Sequence, residues 1–246
     1  MEGLFMKKSL RDMLKSLKEN NGLVGMKTGT EIEGMNFAEI KELKELSSGI
    51  VPLTVKIGGP GAVNDILEML NIGVDSILAP MVESEYAVEN FVQTVIGLCE
   101  FYKKEIPRLC INIETYTAHF NLEEIINNKY FKEFIEGVTI GRGDLAASYK
   151  RDRSFINNVV WLLSLRLGRD CGKTVSVGGG FSAKKDNFSF DFPSDTINTR
   201  HMIIMDKEYI REMLLFEIEI YKYLNILYPE RSHFYKSRIS EIKKRL

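Results

Sequence analysis

Short apolar runs rich in β-branched residues alternate along the chain with longer stretches whose apolar positions recur at helical spacing. This alternation is typical of repeated βα units that build a parallel sheet. Strands are predicted at residues 23–28, 53–57, 75–79, 108–113, 137–140 and 174–177, with one long or split stretch at 195–205. Helices are predicted at residues 5–20, 37–46, 62–70, 84–103, 122–127 and 207–227.

The order of these elements predicts an α/β protein, namely a (β/α)8 TIM-type parallel barrel built as a single domain. A chain of 246 residues has the usual length of such a barrel. We expect residues 1–22 to form an N-terminal helix, 23–206 the barrel core and 207–246 the C-terminal helices. Because the polar stretch 183–193 is too short for a full connecting helix, we expect an irregular barrel around strands 6–8 and an eighth strand within 195–205.

Composition and charge narrow the classes of partner. The net charge of −1 argues against a nucleic-acid binder that relies on bulk electrostatics. No apolar run approaches the ~20 residues that span a bilayer, so we expect no membrane partner and a cytoplasmic location. The three cysteines form no CxxC motif and the three histidines form no HxH or HxxxH pair, which predicts free thiols and no histidine-rich zinc site.

Ionisable residues follow several predicted strands at their C-terminal ends, the face that carries the active site in barrels of this type. Glu114 and Asp144 lie thirty residues apart, about one βα unit, and therefore at the tips of neighbouring strands roughly 4.8 Å apart. Two carboxylates there can share one ion, and all-oxygen ligation indicates Mg²⁺ or Mn²⁺. The alternatives are a salt bridge for Glu114 and a helix-capping role for Asp144.

The second predicted strand ends at a lysine that can neutralise a carboxylate or phosphate. Lys56 is followed by Gly58 and Gly59, which allow a ligand to approach the backbone. The alternative is a surface lysine beside a flexible turn. The glycine run at 178–180 can likewise offer backbone N–H groups to an anion or simply form a tight turn.

The loop after the first predicted strand carries alternating carboxylates. Lys27 precedes it, and Glu31 and Glu33 share one side if the loop is extended. One of the two can then pair with Lys27 while the other faces the site. A glutamate moves protons well at neutral pH only if its pKa rises above the ordinary value of about 4.3.

Five motifs occur in a characteristic order, and they follow the predicted strands. They are KTGTEIEG at 27–34, VKIGG at 55–59, GVDSILAPMVES at 73–84, INIET at 111–115 and IGRGDL at 140–145. Together they resemble the HpcH/HpaI aldolase and citrate lyase β-subunit family, within the phosphoenolpyruvate/pyruvate barrel superfamily. The IET and GRxDL motifs, at this spacing, are the specific part of the resemblance.

The resemblance implies a metal-dependent carbon–carbon lyase or aldolase that acts on a 2-oxo acid, pyruvate- or oxaloacetate-like, or on an acyl-CoA-like substrate. Glu114 and Asp144 would hold Mg²⁺ or Mn²⁺, and the reaction would pass through a metal-stabilised enolate. A homo-oligomer is also expected, because the helix predicted at 207–227 is apolar on most of its sides. The alternative is that this helix is deeply packed within its own chain.

The chain departs from the family at two positions. Family aldolases carry an arginine after the second strand, where this chain has Lys56, and a histidine in the loop after the first strand, which is absent here. We therefore predict catalytic roles for Lys56, Glu33 and Lys27. His119 is a further candidate proton carrier, with a solvated loop histidine as the alternative.

Substrate binding is predicted for four residues at the ends of three strands, which are Arg142, Gly58, Gly59 and Arg200. Arg142 would orient a carboxylate, whereas Arg200 would bind an anionic substrate group or form an interface salt bridge. Two other functions stay open. One is Schiff-base chemistry through Lys27 or Lys56, and the other is a non-catalytic barrel that binds a carboxylate or scaffolds a partner.

Overall fold

The computed structural model describes residues 2–184 and 191–246, and in this part of the chain eight strands close into a barrel in chain order. The predicted α/β barrel is therefore confirmed. The strands are β1 (Leu23–Gly29), β2 (Leu53–Lys56), β3 (Ser76–Ala79), β4 (Arg108–Ile113), β5 (Ile135–Gly141), β6 (Thr174–Gly178), β7 (Thr196–Asn198) and β8 (Met202–Ile204).

Helices surround the barrel and follow most of its strands. In the described ranges they are α1 (Glu2–Asn20), α2 (Phe37–Ser47), α3 (Val63–Ile72), α4 (Glu85–Tyr102), α5 (Tyr116–Phe120), α6 (Leu122–Asn127), α7 (Lys129–Phe134), α8 (Arg142–Tyr149), α9 (Arg153–Leu165), α10 (Ile210–Leu227) and α11 (Ser232–Lys243). A π-helical turn extends α9, and short 3₁₀ turns precede α10 and α11. None of the helices in the described part of the chain is long and apolar enough to cross a membrane.

The predicted all-parallel order is wrong for the last strand. Strands β1 to β7 pair in parallel, whereas β8 runs antiparallel to both β7 and β1. The reason is the connection, because residues 199–201 alone separate β7 from β8 and a parallel crossover needs a dozen residues or more. The stretch 195–205 thus forms a hairpin that closes the barrel. Part of the predicted irregular connection, residues 185–190, lies outside the described residues.

Small and polar side chains line the inside of the barrel, whereas branched apolar ones pack outward against the helices. A cavity of about 450 Å³ opens at the N-terminal ends of the strands, because its walls carry glycine, serine and threonine where such barrels normally place bulky residues. Its lining includes Lys27, Thr54, Ser76, Cys110, Gly137, Thr139, Ser176, Thr196 and Asn198. Glu114 and Asp144 lie outside this cavity, at the opposite face.

The C-terminal helices pack against their own barrel. Helix α10 buries residues on several of its sides and contacts both α1 and α11. The apolar breadth of the predicted helix at 207–227 is therefore accounted for within the chain. A homo-oligomer stays a prediction.

Candidate active site

Glu114 directly follows β4 and is held in a fixed position at the C-terminal mouth of the barrel. Its side chain is 3% exposed, and its two carboxylate oxygens accept hydrogen bonds from the Met81 backbone N–H (3.0 Å) and from Asn112 Nδ2 (2.8 Å). Asn112 lies two residues earlier on the same strand and so shares the inward face with Glu114. The Asn112 amide oxygen is buried without a hydrogen-bond partner in the described residues.

Gly141, the last residue of β5, makes room for this carboxylate. A Cβ at Gly141 would lie 2.6 Å from Glu114 Oε2 and 2.8 Å from Glu114 Cβ, closer than real side chains approach. The glycine is thus required by a close approach of a neighbouring side chain. The side chain of Glu114 therefore lies directly against the end of β5.

Asp144 lies in the first turn of α8 and is exposed, and its charge acts on Glu114. Burial is the main reason that the pKa of Glu114 is raised, and the charge of Asp144 raises it further. The Met81 N–H and the charge of Lys56 act in the opposite direction. The two carboxylates therefore lie at the same mouth of the barrel, at the ends of the neighbouring strands β4 and β5.

Neither alternative role for these carboxylates is seen in the described part of the chain. Asp144 makes no capping hydrogen bond to α8, and no salt bridge within 4.0 Å involves Glu114 or Asp144. Two adjacent carboxylates without a cationic partner are a donor set that suits Mg²⁺ or Mn²⁺. No group of three or more histidine, cysteine or carboxylate side chains arranged for a metal is found among residues 2–184 and 191–246.

Lys27, Glu33 and Lys56 form a buried charge cluster at the same mouth. Glu33 Oε1 lies 3.4 Å from Lys27 Nζ, and Glu33 Oε2 lies 3.7 Å from Lys56 Nζ. Glu31 completes the cluster, with its carboxylate 2.7 Å from Lys56 Nζ. A Cβ at Gly29 would lie 2.7 Å from Glu33 Oε2, so this end of β1 also requires glycine. The three predicted catalytic residues are brought together.

The electrostatics of this cluster correct one expectation. Burial opposes ionisation of Glu33, but the charges of Lys27 and Lys56 outweigh it, and the pKa of Glu33 falls below its ordinary value. Burial likewise opposes the charge of Lys56, but Glu33 and Glu31 raise the pKa of Lys56. Glu33 therefore lacks the raised pKa that a general base at neutral pH requires. Its contacts favour holding the two ammonium groups in place.

Arg142 begins α8 and contacts the glycine run after β6. Its guanidinium donates to Gly179 O at 2.6 Å and lies 4.1 Å from the ring of Phe181. Gly179 has φ of 94°, and a Cβ there would lie 2.9 Å from the Gly143 backbone nitrogen. The glycine run thus packs against the start of α8 as a tight turn. A role of Arg142 in substrate binding stays a prediction.

Gly58 and Arg200 each have a polar partner within the protein, and their roles in substrate binding stay predictions. The Gly58 N–H donates to Asp65 at 2.9 Å and is therefore not offered to a ligand. A Cβ at Gly59 would meet no atom within 4 Å, so there is open space beside this residue. Arg200, in the β7–β8 turn, pairs with Glu241 of α11 at 3.1 Å. The hairpin thus brings this side chain into contact with the C-terminal helices.

His119 lies on α5, and its ring nitrogen Nδ1 contacts the hydroxyl of Tyr149. Burial lowers the pKa of His119, which keeps the ring neutral at neutral pH. Sequence reasoning missed three residues that shape the site, namely Asn112, Gly29 and Gly141. Strand alternation could have identified Asn112, since it lies two residues before Glu114.

Comparison with known proteins agrees with this geometry. The model of the HpcH/HpaI aldolase/citrate lyase family matches residues 52–160, which hold Lys56, Glu114 and Asp144. The chain resembles this family. The predicted resemblance is confirmed, and so is the predicted enzyme class, because the family consists of carbon–carbon lyases. Its members generally depend on a divalent metal.

Solved structures share the fold at low sequence identity. An HpcH/HpaI aldolase from Desulfitobacterium hafniense is 15% identical with a TM-score of 0.56, and the match covers 76% of this chain and 80% of that one. A family protein from Burkholderia cenocepacia is 12% identical with a TM-score of 0.51, covering 70% and 85%. The citrate synthase variant SbnG is 15% identical with a TM-score of 0.53, covering 73% and 75%. No curated protein matches the chain significantly.

Proposed function

We propose that this protein is a divalent-metal-dependent lyase or aldolase that acts on a 2-oxo acid such as a pyruvate or oxaloacetate unit. The observation that carries the proposal is the pair of Glu114 and Asp144, one buried and one exposed, at the mouth of the barrel. The charge of Asp144 contributes to the raised pKa of Glu114, and neither carboxylate has a cationic partner within salt-bridge distance in the described residues. A bound Mg²⁺ or Mn²⁺ would balance both negative charges.

Glu114 and Asp144 would hold the ion, which supplies a Lewis acid to stabilise negative charge that develops on the keto oxygen of the substrate. Asn112 and the Met81 N–H fix the orientation of Glu114 before any substrate binds. Exposed Asp144 leaves the outward side of the site open to solvent and to a second substrate.

Lys56 would bind the anionic substrate as a fixed positive charge. Its pKa is raised, so its amine is protonated at neutral pH, and its charge acts on Glu114. A lysine in this position supplies a point charge instead of the two-pronged contact of an arginine. The same raised pKa disfavours Schiff-base chemistry at Lys56, which requires a neutral amine.

Deuterium exchange at the methyl group of pyruvate tests the proposal without knowledge of the second substrate. In D₂O with Mg²⁺ or Mn²⁺, the wild-type protein should replace the C3 protons of pyruvate with deuterium, as followed by proton NMR. Chelation of the metal, Glu114→Gln and Asp144→Asn should each abolish the exchange. Glu124→Gln, which removes an exposed carboxylate from the first turn of α6, is the matched control and should leave it unchanged.

Two results would contradict the proposal. Exchange that persists after chelation would show that no metal is needed and would favour the lysine mechanism. The other result is tight binding of metal and pyruvate with neither proton exchange nor turnover of any 2-oxo acid. It would favour a barrel that binds a carboxylate without catalysis.

A further inference from the structure

The loop that carries Glu31 and Glu33, residues 30–36 between β1 and α2, is covered by α11 from the far end of the chain. Its backbone is turned on itself, since the Gly34 N–H donates to Glu31 O at 2.9 Å and the Met35 N–H to Gly29 O at 3.0 Å. These two bonds are local. Thr30 ties the start of the loop to β2 and α3, because its N–H donates to Lys56 O at 3.0 Å and its hydroxyl donates to Asp65. The backbone around Glu33 is contacted from the C-terminal region of the chain.

Two arginines from the C-terminal region grip the carbonyls on either side of Glu33. Arg238 Nη2 donates to Ile32 O at 2.6 Å, and Arg231 Nη2 donates to Gly34 O at 2.6 Å. Hydrogen bonds from a charged donor are about twice as strong as neutral ones. The two carbonyls flank Glu33 directly, so the arginines fix the segment from which the Glu33 side chain enters the charge cluster.

An aromatic ring holds the two arginines in place. The guanidinium carbons of Arg231 and Arg238 lie 4.5 Å and 5.0 Å from the ring centre of Phe234. Phe234 and Arg238 are four positions apart and therefore lie on one face of α11, while Arg231 directly precedes the helix. Phe234 also packs on Gly34, where φ is 68° and a Cβ would lie 3.2 Å from the ring.

We propose that Arg238 is a positioning residue that holds the loop so that Glu31 and Glu33 keep Lys56 in its place at the barrel mouth. Its catalytic meaning rests on the proposed function, in which Lys56 binds the substrate anion. Arg231 contributes to the same grip but also pairs with the fully buried Glu39, so its replacement would disturb α2 as well. Arg238 is therefore the informative position.

The test compares Arg238→Met with Lys236→Met, which removes the same charge from an exposed position of the same helix. Hydrogen–deuterium exchange read by mass spectrometry reports the Gly34 and Met35 amides. Arg238→Met should accelerate their exchange about tenfold or more, as expected from losing a hydrogen bond to a charged group. Lys236→Met should leave it unchanged, and Arg238→Lys should restore most of the protection.

A second measurement separates positioning from general loosening. The pH profile of Lys56 acetylation reports whether Glu31 and Glu33 still face its ammonium group. In Arg238→Met the profile should move to lower pH, and labelling at pH 8 should become about tenfold faster for each pH unit that the profile moves. Phe234→Leu, which removes the ring between the arginines, should move the Lys56 acetylation profile in the same direction. This variant replaces Arg238→Met in the test if Arg238→Met folds poorly.

Unchanged amide exchange in both Arg238→Met and Phe234→Leu would contradict the claim that Arg238 holds the loop 30–36 in place. Faster exchange with an unmoved Lys56 profile would show that α11 merely restrains the loop, and would overturn the positioning role. Neither readout requires metal or a 2-oxo acid. A wild-type protein that fails to exchange pyruvate protons would therefore contradict the proposed function alone.

Discussion

Replacing Gly141 by alanine should displace Glu114 and remove the metal site without touching a ligand. The backbone at Gly141 is close to an extended conformation that alanine adopts readily, with φ of −87° and ψ of 92°. The cost is therefore steric. The new methyl group would lie 2.8 Å from Glu114 Cβ, which is anchored to β4 and cannot rotate away.

The size of the effect follows from these contacts. Overpacking a fitted position costs about 1–3 kcal/mol, and losing the hydrogen bond from Asn112 to Glu114 costs about 1.5 kcal/mol more. We expect Gly141→Ala to lower the free energy of unfolding by about 2.5–4.5 kcal/mol and to weaken Mn²⁺ binding at least tenfold. Urea denaturation measures the first quantity, and calorimetric titration of Mn²⁺ measures the second.

Gly143→Ala is the matched control, two residues away in α8. A Cβ at Gly143 would meet nothing within 4 Å, so the substitution should stabilise the helix by about 0.5 kcal/mol. Metal affinity should be that of the wild type. If Gly141→Ala were as stable as Gly143→Ala and bound Mn²⁺ normally, the close approach of Glu114 to β5 would be wrong.

Three further predictions concern buried ionisable groups. Glu33→Gln leaves two buried lysines short of a partner and should lower the free energy of unfolding, measured by urea denaturation at pH 7, by about 3 kcal/mol. Because the native pKa of Glu33 is lowered, this difference from the wild type should be present above the ordinary pKa of Glu33 and vanish as the pH falls through the native pKa. Glu114→Gln, measured without metal, should be at least as stable as the wild type at pH 7, because the raised pKa of Glu114 makes the native protein lose stability as the pH rises above the ordinary value; a less stable variant would contradict this. Burial raises the pKa of Cys110 to about 11, so Cys110 should resist N-ethylmaleimide at pH 7.5 while half-buried Cys171 is labelled. Mass spectrometry measures the labelling of each cysteine, and faster labelling of Cys110 would contradict this prediction.

Much of the barrel could be predicted from the sequence, since apolar runs and helical spacing located six of the strands. The spacing of Glu114 and Asp144 identified neighbouring strand ends, because a βα unit has a narrow range of lengths. The direction of β8 was predicted wrongly, although the short distance between Ile197 and Met202 already excluded a parallel crossover. The short connection between β7 and β8 was therefore the feature of the sequence that indicated an antiparallel β8.

The rest of the site depends on contacts between distant parts of the chain. Nothing near Glu33 in sequence shows that α11, some two hundred residues later, covers its loop. The lowered pKa of Glu33 arises from two lysines on different strands. The absence of the family's histidine from this loop suggested a proton carrier at Glu33, whereas the environment stabilises a charge there. The pairing of Arg200 with Glu241 of α11 likewise joins distant parts of the chain and could not be predicted from the sequence.

Calorimetric titration of Mg²⁺ and Mn²⁺, each with and without oxalate, tests the central claim most directly. Oxalate mimics the planar, charged form of a 2-oxo acid and cannot turn over. The wild-type protein and Glu124→Gln should bind oxalate only when the metal is present. Glu114→Gln should bind neither the metal nor oxalate. Oxalate binding that needs no metal, or that survives in Glu114→Gln, would contradict the assignment of Glu114 and Asp144 as the metal site.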